Sequence, residues 1–117
     1  MTEFVIDIVD GIVVIKLLLE RATLSKAGVF KKILTDLIEK GHRKIIIDCH
    51  NVEFMDSTFL GAIIVSLKRI KAVEGDMRLV FASKESPICL MLETTRMLSV
   101  LKSCFSVEEA IQKLKND

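Results

Sequence analysis

Asp56, Ser57 and Thr58 set one carboxyl and two adjacent hydroxyls in a row. They stand where an apolar strand and its loop, ending Val52-Glu53-Phe54-Met55, give way to an apolar run beginning Phe59-Leu60-Gly61. The chemistry open to such a triplet depends on the element it introduces. A helix start presents unpaired backbone N–H groups and a positive dipole end, so it favours a hydroxyl, a carboxylate or a phosphate. Asp and Ser are also preferred caps of any helix. By itself, therefore, the triplet supports a cap before it supports a site of modification. Thr58 is the weaker of the two candidate acceptors, since an ordinary first-turn residue explains it.

The other reactive side chains offer less. Cys49, Cys89 and Cys104 are an odd set without C-x-x-C spacing and sit among apolar residues. They are expected as reduced, buried thiols that behave as small hydrophobes. His42 and His50 have neither the i, i+4 spacing nor the Cys clustering of a metal site, so no metal is expected. A Cys49-His50 nucleophile pair is disfavoured because neighbours on a strand point to opposite faces. The chain has no G-x-S-x-G elbow and no glycine-rich phosphate loop. Neither histidine opens a predicted helix, which argues against a histidine phosphocarrier. Neither an enzyme nor a bound cofactor is expected.

The secondary structure around the triplet can be read from periodicity. Residues 3–9 and 12–19 are rich in Val and Ile and flank Asp10-Gly11, the preferred pair for a type I′ turn, so the chain opens with an antiparallel hairpin. Glu20 to Lys26 is a polar connection. Val29, Phe30, Ile33, Leu34, Leu37 and Ile38 recur at helical spacing, and Gly41 stands where a C-cap belongs. Lys44 to Cys49 predicts a buried strand. From Thr58 the series Leu60, Ile63, Ile64, Leu67, Ile70 is helical again, with Lys68, Arg69 and Lys71 on its solvated face. The small Gly61 and Ala62 are expected to let its first turns pack closely on neighbouring backbone.

Met77 to Ala82 is the next strand. Ser86-Pro87 reads as an N-cap and first helical residue, opening a helix to Thr94 or Thr95. A short strand over Leu101 to Phe105 precedes a last helix, whose capping box is Ser106 and Glu109. The order β-β-α-β-α-β-α-β-α implies an α/β fold: a mixed, mostly parallel sheet with right-handed crossovers, an N-terminal hairpin and four helices. Sites in such sheets gather beyond the carboxyl ends of the strands, where Asp56 and Ser57 fall.

Composition bounds the partners. The 117 residues predict one domain, 1–117, long enough to bury roughly two thirds of its unfolded surface. Half the residues are hydrophobic but only 5% aromatic, which suits an aliphatic core between sheet and helices. With 17 basic and 16 acidic residues the net charge is +1, so direct nucleic-acid binding is not expected. The apolar run Phe59 to Val65 is too short to span a bilayer. No basic n-region with an apolar stretch and cleavage site opens the chain. A cytoplasmic protein without membrane insertion is the expectation.

The element order, the run Val52-Glu53-Phe54-Met55-Asp56-Ser57-Thr58 and the Leu60-Gly61 after it resemble a STAS domain, and more narrowly a bacterial anti-sigma factor antagonist. The resemblance spans essentially the whole chain, including the helix start Ser106-Val107-Glu108-Glu109-Ala110. It implies that Ser57 is a phosphoacceptor and that the partner is an anti-sigma factor, a serine kinase that itself uses ATP. The unphosphorylated protein would bind that partner and free a sigma factor, and phosphorylation would end the binding. Asp56 would cap the helix and position Ser57, with Thr58 and Phe59 completing the partner-binding or positioning set, and a monomer is expected.

Two departures stand out against the family. Phe59 replaces a usual glycine; it either packs under the helix, as its apolar neighbours Leu60 and Ile63 suggest, or forms part of the partner surface. Glu20 and Thr23 replace a usual glycine and aspartate in a loop that lies near the partner surface. The alternative is a STAS-type adaptor or scaffold without phosphorylation, as in a lipid-transport or stressosome-like complex.

Overall fold

The computed structural model describes residues 3–116. The opening hairpin forms as its residues dictate. Strand β1 (Phe4–Val9) pairs antiparallel with β2 (Ile12–Leu17), and the turn residues Asp10 and Gly11 both have positive φ, 54° and 78°, as a type I′ turn requires. A left-handed Asp is tolerated and a left-handed Gly is free of strain. From β2 the chain crosses through helix α1 (Leu24–Glu39) to β4 (Lys44–Asp48), then through α2 (Ser57–Ala72) to β6 (Asp76–Val80). Helix α3 (Pro87–Thr94) and a 3-10 turn at Met97–Ser99 lead to β7 (Ser103–Cys104), and α4 (Val107–Lys115) comes after it. The main sheet has the order β1-β2-β4-β6-β7, antiparallel only at its first pair.

Alternation along the strands divides the core in two. Val13, Ile15, Leu17, Ile45, Ile47, Leu79 and Phe81 turn one way and pack with Phe30, Leu34, Phe59 and Ile63 of α1 and α2. Ile12, Val14, Ile46 and Val80 turn the other way, against Ala110 and Leu114 of α4. Three side chains thread the larger half: the rings of Phe4 and Phe30 lie 5.9 Å apart, and those of Phe30 and Phe59 stack at 4.6 Å. Cys49, Cys89 and Cys104 are all free and buried, as expected. Burial, with the Asp48 carboxylate beside it, pushes the Cys49 thiol well above its ordinary pKa, and the adjacent His50 faces out, so the two form no nucleophile pair.

Several boundaries differ from the periodic reading. Two short strands, β3 (Arg21–Ala22) and β5 (Phe54–Met55), pair in parallel where a loop is expected. Helix α1 begins at Leu24, a full turn before its first apolar repeat. In the last cap, Ser106 Oγ accepts from the Glu109 N–H at 3.1 Å, but the Glu109 carboxylate reaches the N–H of Phe105 rather than of Ser106. Gly75 is needed for close approach: a Cβ there would collide with the Arg43 carbonyl and the Ile70 side chain.

Asp76, at the amino end of β6, gathers charge. Lys71 Nζ lies 2.9 Å from one oxygen, with Arg78 at 3.5 Å and Lys102 at 3.8 Å from the other. Burial raises its pKa, but the Lys71 bond, the Met77 N–H and the Lys102 charge outweigh burial and hold the carboxyl below its usual range. A depressed carboxylate pKa stabilises the fold above the unfolded value, about pH 4, and that contribution is lost as pH falls through the folded value. Asp76→Asn is therefore expected to cost about 1 kcal/mol at neutral pH and progressively less toward pH 2. Urea denaturation midpoints at the two pH values check it.

Candidate functional site

Asp56 holds the starts of two helices at once. Its backbone N–H donates to the Ala22 carbonyl at 3.0 Å, which fixes it beside β3. As N-cap of α2, its Oδ1 accepts from the Phe59 N–H at 2.9 Å. Its Oδ2 accepts from the Leu24 N–H at 2.7 Å, the first residue of α1. Thr23, the N-cap of α1, makes no side-chain cap bond; its hydroxyl lies 3.3 Å from that of Ser25. One carboxylate thus serves two orphaned N–H groups and the positive ends of two dipoles.

This double role gives Asp56→Ala an expected cost of about 2 kcal/mol, one cap's worth at each helix. Asp56→Asn is expected to lose about half of that, because its single amide oxygen keeps the Phe59 bond while its NH2 faces the Leu24 N–H. Thermal denaturation of both variants checks the ranking; no loss in Asp56→Asn would mean that the α1 bond contributes nothing, and equal losses that the α2 bond does not.

Ser57 is the first residue of α2, and its side chain is exposed. Thr58 is exposed as well. Helices α1 and α2 leave the shared carboxylate side by side, and between them lies an open, mostly apolar groove of about 510 Å³. Leu24 and Thr58 line its mouth, Gly28 and Gly61 its middle, and Lys31 and Val65 the turn beyond. Leu24 is 67% exposed and Val65 41%, so two large apolar side chains flank it in water. A Cβ built on Gly28 or Gly61 would meet nothing within 4 Å. Gly61 therefore keeps the groove open instead of admitting close backbone packing, which corrects the expectation for it; Ala62 beside it is buried. Next to the site, the Arg21 guanidinium covers the half-open Phe54 ring at 4.4 Å from its centroid.

The STAS-domain family model matches residues 3–110. The chain belongs to the STAS domain family. A Thermotoga maritima protein assigned as an anti-sigma factor antagonist is 31% identical to this STAS domain over 116 residues, 96% of this chain and 97% of its own. The crystal structure of a T. maritima protein with the same assignment matches at TM-score 0.81 and 30% identity, over 96% of this chain and 94% of its own. The anti-sigma factor antagonist SpoIIAA shares the fold at TM-scores of 0.76 unphosphorylated and 0.71 phosphorylated. Its identities are 21% and 20%, over 97% and 94% of this chain and 99% and 97% of its own.

Of the four residues singled out in the sequence, three meet at the surface of this STAS domain. Thr58 lines one end of the groove, and Asp56 and Ser57 immediately precede it, as N-cap and first residue of α2. Phe59 does not join them: it is fully buried and stacked on Phe30, so it lies under the helix and contributes no partner surface. Glu20 and Thr23 do not line the groove; the Glu20 carbonyl accepts from the N–H groups of Glu53 and Phe54, in the loop before α2. Leu24, Gly28 and Val65 did not emerge from periodicity as site residues. The available signal was that Leu24 and Val65 break the polar faces of their helices.

Proposed function

We propose that this STAS domain, acting as one unit over residues 1–117, is an anti-sigma factor antagonist switched by phosphorylation of Ser57. The unphosphorylated protein docks on an anti-sigma factor through the face around Ser57 and the α1/α2 groove, so that the sigma factor is released. The anti-sigma factor is a serine kinase, supplies its own ATP site, and ends the docking by phosphorylating Ser57. The protein works in the cytoplasm by binding, with no cofactor and no direct contact with nucleic acid. The observation that carries this reading is the placement of an exposed serine, at the first position of a helix, beside an apolar groove flanked by exposed Leu24 and Val65. Exposed apolar side chains grouped around a concave surface mark a docking site.

The electrostatics suit a switch. A phosphoryl group adds about −1.5 to −2 charges and three acceptor oxygens. At the start of α2 the dipole favours it by roughly 0.3–1 kcal/mol, so the fold tolerates the modification. A partner surface matched to a neutral hydroxyl does not. Asp56, whose two oxygens are both engaged by backbone N–H groups, fixes the first turn and so the direction of Ser57.

Gly61→Leu tests the docking face. The added Cβ meets nothing within 4 Å, the rest of the side chain points into the open groove, and helix propensity rises by up to about 1 kcal/mol, so the melting temperature is expected to hold or rise. The side chain fills the groove, and binding to the anti-sigma factor is expected to weaken tenfold or more in calorimetric titration. An unchanged Kd would place docking elsewhere.

A further inference from the structure

The two edges of the main sheet are unlike. Strand β7 is two residues long and so blunted, whereas β1 runs for six, Phe4-Val5-Ile6-Asp7-Ile8-Val9, without lysine, arginine or proline. Natural edges are usually protected by such residues or by brevity. Ile6 and Ile8 are 43% and 59% exposed. They share the face of Phe4, whose cross-strand neighbour is Leu17. The helices of that face cover Phe4 but not these two.

The hydrogen-bond parity of β1 is fixed. The Leu18 N–H donates to the Glu3 carbonyl at 2.7 Å, so Glu3, Val5, Asp7 and Val9 turn their backbone groups toward β2. Phe4, Ile6 and Ile8 turn theirs outward. The geometry points to a second copy of this chain as the occupant of that edge, pairing antiparallel about a two-fold axis at Ile6. Ile6 then faces Ile6 of the second copy and Phe4 faces its Ile8. All three outward residues meet outward residues, each pair exchanging two N–H···O bonds. One face of the seam is wholly apolar, and on the other Val5 faces Asp7. The competing register, Ile6 against Ile8, sets Asp7 directly against Asp7 and is penalised by like charge. The result is an isologous pair with one sheet running through both copies. It shares no residue with the Ser57 site and does not depend on the function proposed there.

Sedimentation equilibrium tests it. The wild-type mass is expected to rise with concentration from the 13.2 kDa of one chain toward twice that value. Ile6→Lys and Ile6→Glu, each placing like charges opposite one another, are expected to stay monomeric with unchanged circular dichroism; an equimolar mixture of the two is expected to associate again. Ile8→Lys, at the most exposed apolar position of the strand, replaces either variant that fails to fold. A wild type that remains at the single-chain mass at every concentration would overturn the proposal, and so would an Ile6→Lys protein that associates like the wild type. Association of Ile6→Lys with Ile8→Glu, but not with Ile6→Glu, would overturn the register.

Discussion

Phe59→Ala is expected to remove about 3–5 kcal/mol of stability, the cost of truncating a fully buried aromatic side chain. Domains of this size are stable by only about 5–15 kcal/mol in total. The melting temperature should therefore fall by roughly 15 °C, given an unfolding entropy near 2.1 cal/mol/K per residue. The loss is large because two terms add. The ring leaves a cavity between α1, α2 and the sheet, and the stack on Phe30 at 4.6 Å is broken. Thr58→Ala, one residue earlier but exposed, should change stability by less than about 0.5 kcal/mol. Urea denaturation of the pair gives the comparison. A loss below about 1 kcal/mol for Phe59→Ala, well short of the usual cost of a buried ring, would mean that the side chain is not a core element and that the first turn of α2 is held by its cap alone.

Phosphorylation of Ser57 is expected to weaken docking on the anti-sigma factor more than a hundredfold while leaving the fold nearly unchanged. An unpaired phosphate buried in an interface, or set against like charge, costs several kcal/mol. About 3 kcal/mol already exceeds a hundredfold in Kd. Against this, the modified residue stands at an exposed helix start where negative charge is mildly favoured. The same group is thus expected to be tolerated by the free protein and rejected by the complex. Ser57→Asp should reproduce part of the effect, since it carries one charge and two oxygens in place of nearly two charges and three. Ser57→Ala should keep binding and lose the response to ATP. Calorimetric titration of the anti-sigma factor with each form, beside thermal melts, separates loss of docking from loss of fold.

The parts of the fold legible in the sequence are those set by local pattern. Asp10-Gly11 announced its turn, the apolar repeats announced α1 and α2, and Ser86-Pro87 and Ser106 announced their helix starts, because each signal lies within a few residues of the element it determines. The parts that were not legible are set across the chain. Strands β3 and β5 have two residues each, too few for any periodicity, and they form because the Glu20 and Ala22 carbonyls find N–H groups in 53–56. The start of α1 at Leu24 was hidden for the same reason: its cap is a carboxylate 32 residues away. At the candidate site, the types and order of Asp56, Ser57 and Thr58 alone pointed to a helix cap, and the role of Ser57 came only with the family resemblance. The groove beside them was not legible, since it exists only where Gly28 of one helix and Gly61 of another come side by side.

The measurement that bears most directly on the central claim is phosphopeptide mass spectrometry after incubation with ATP and the anti-sigma factor kinases of the same genome, with Ser57→Ala in parallel. One modified peptide is expected, phosphorylated at Ser57 and absent from the variant, produced by a kinase that the unmodified protein also binds. Phosphorylation elsewhere, or none by any kinase that binds it, would contradict the switch and leave the groove as an unregulated docking surface.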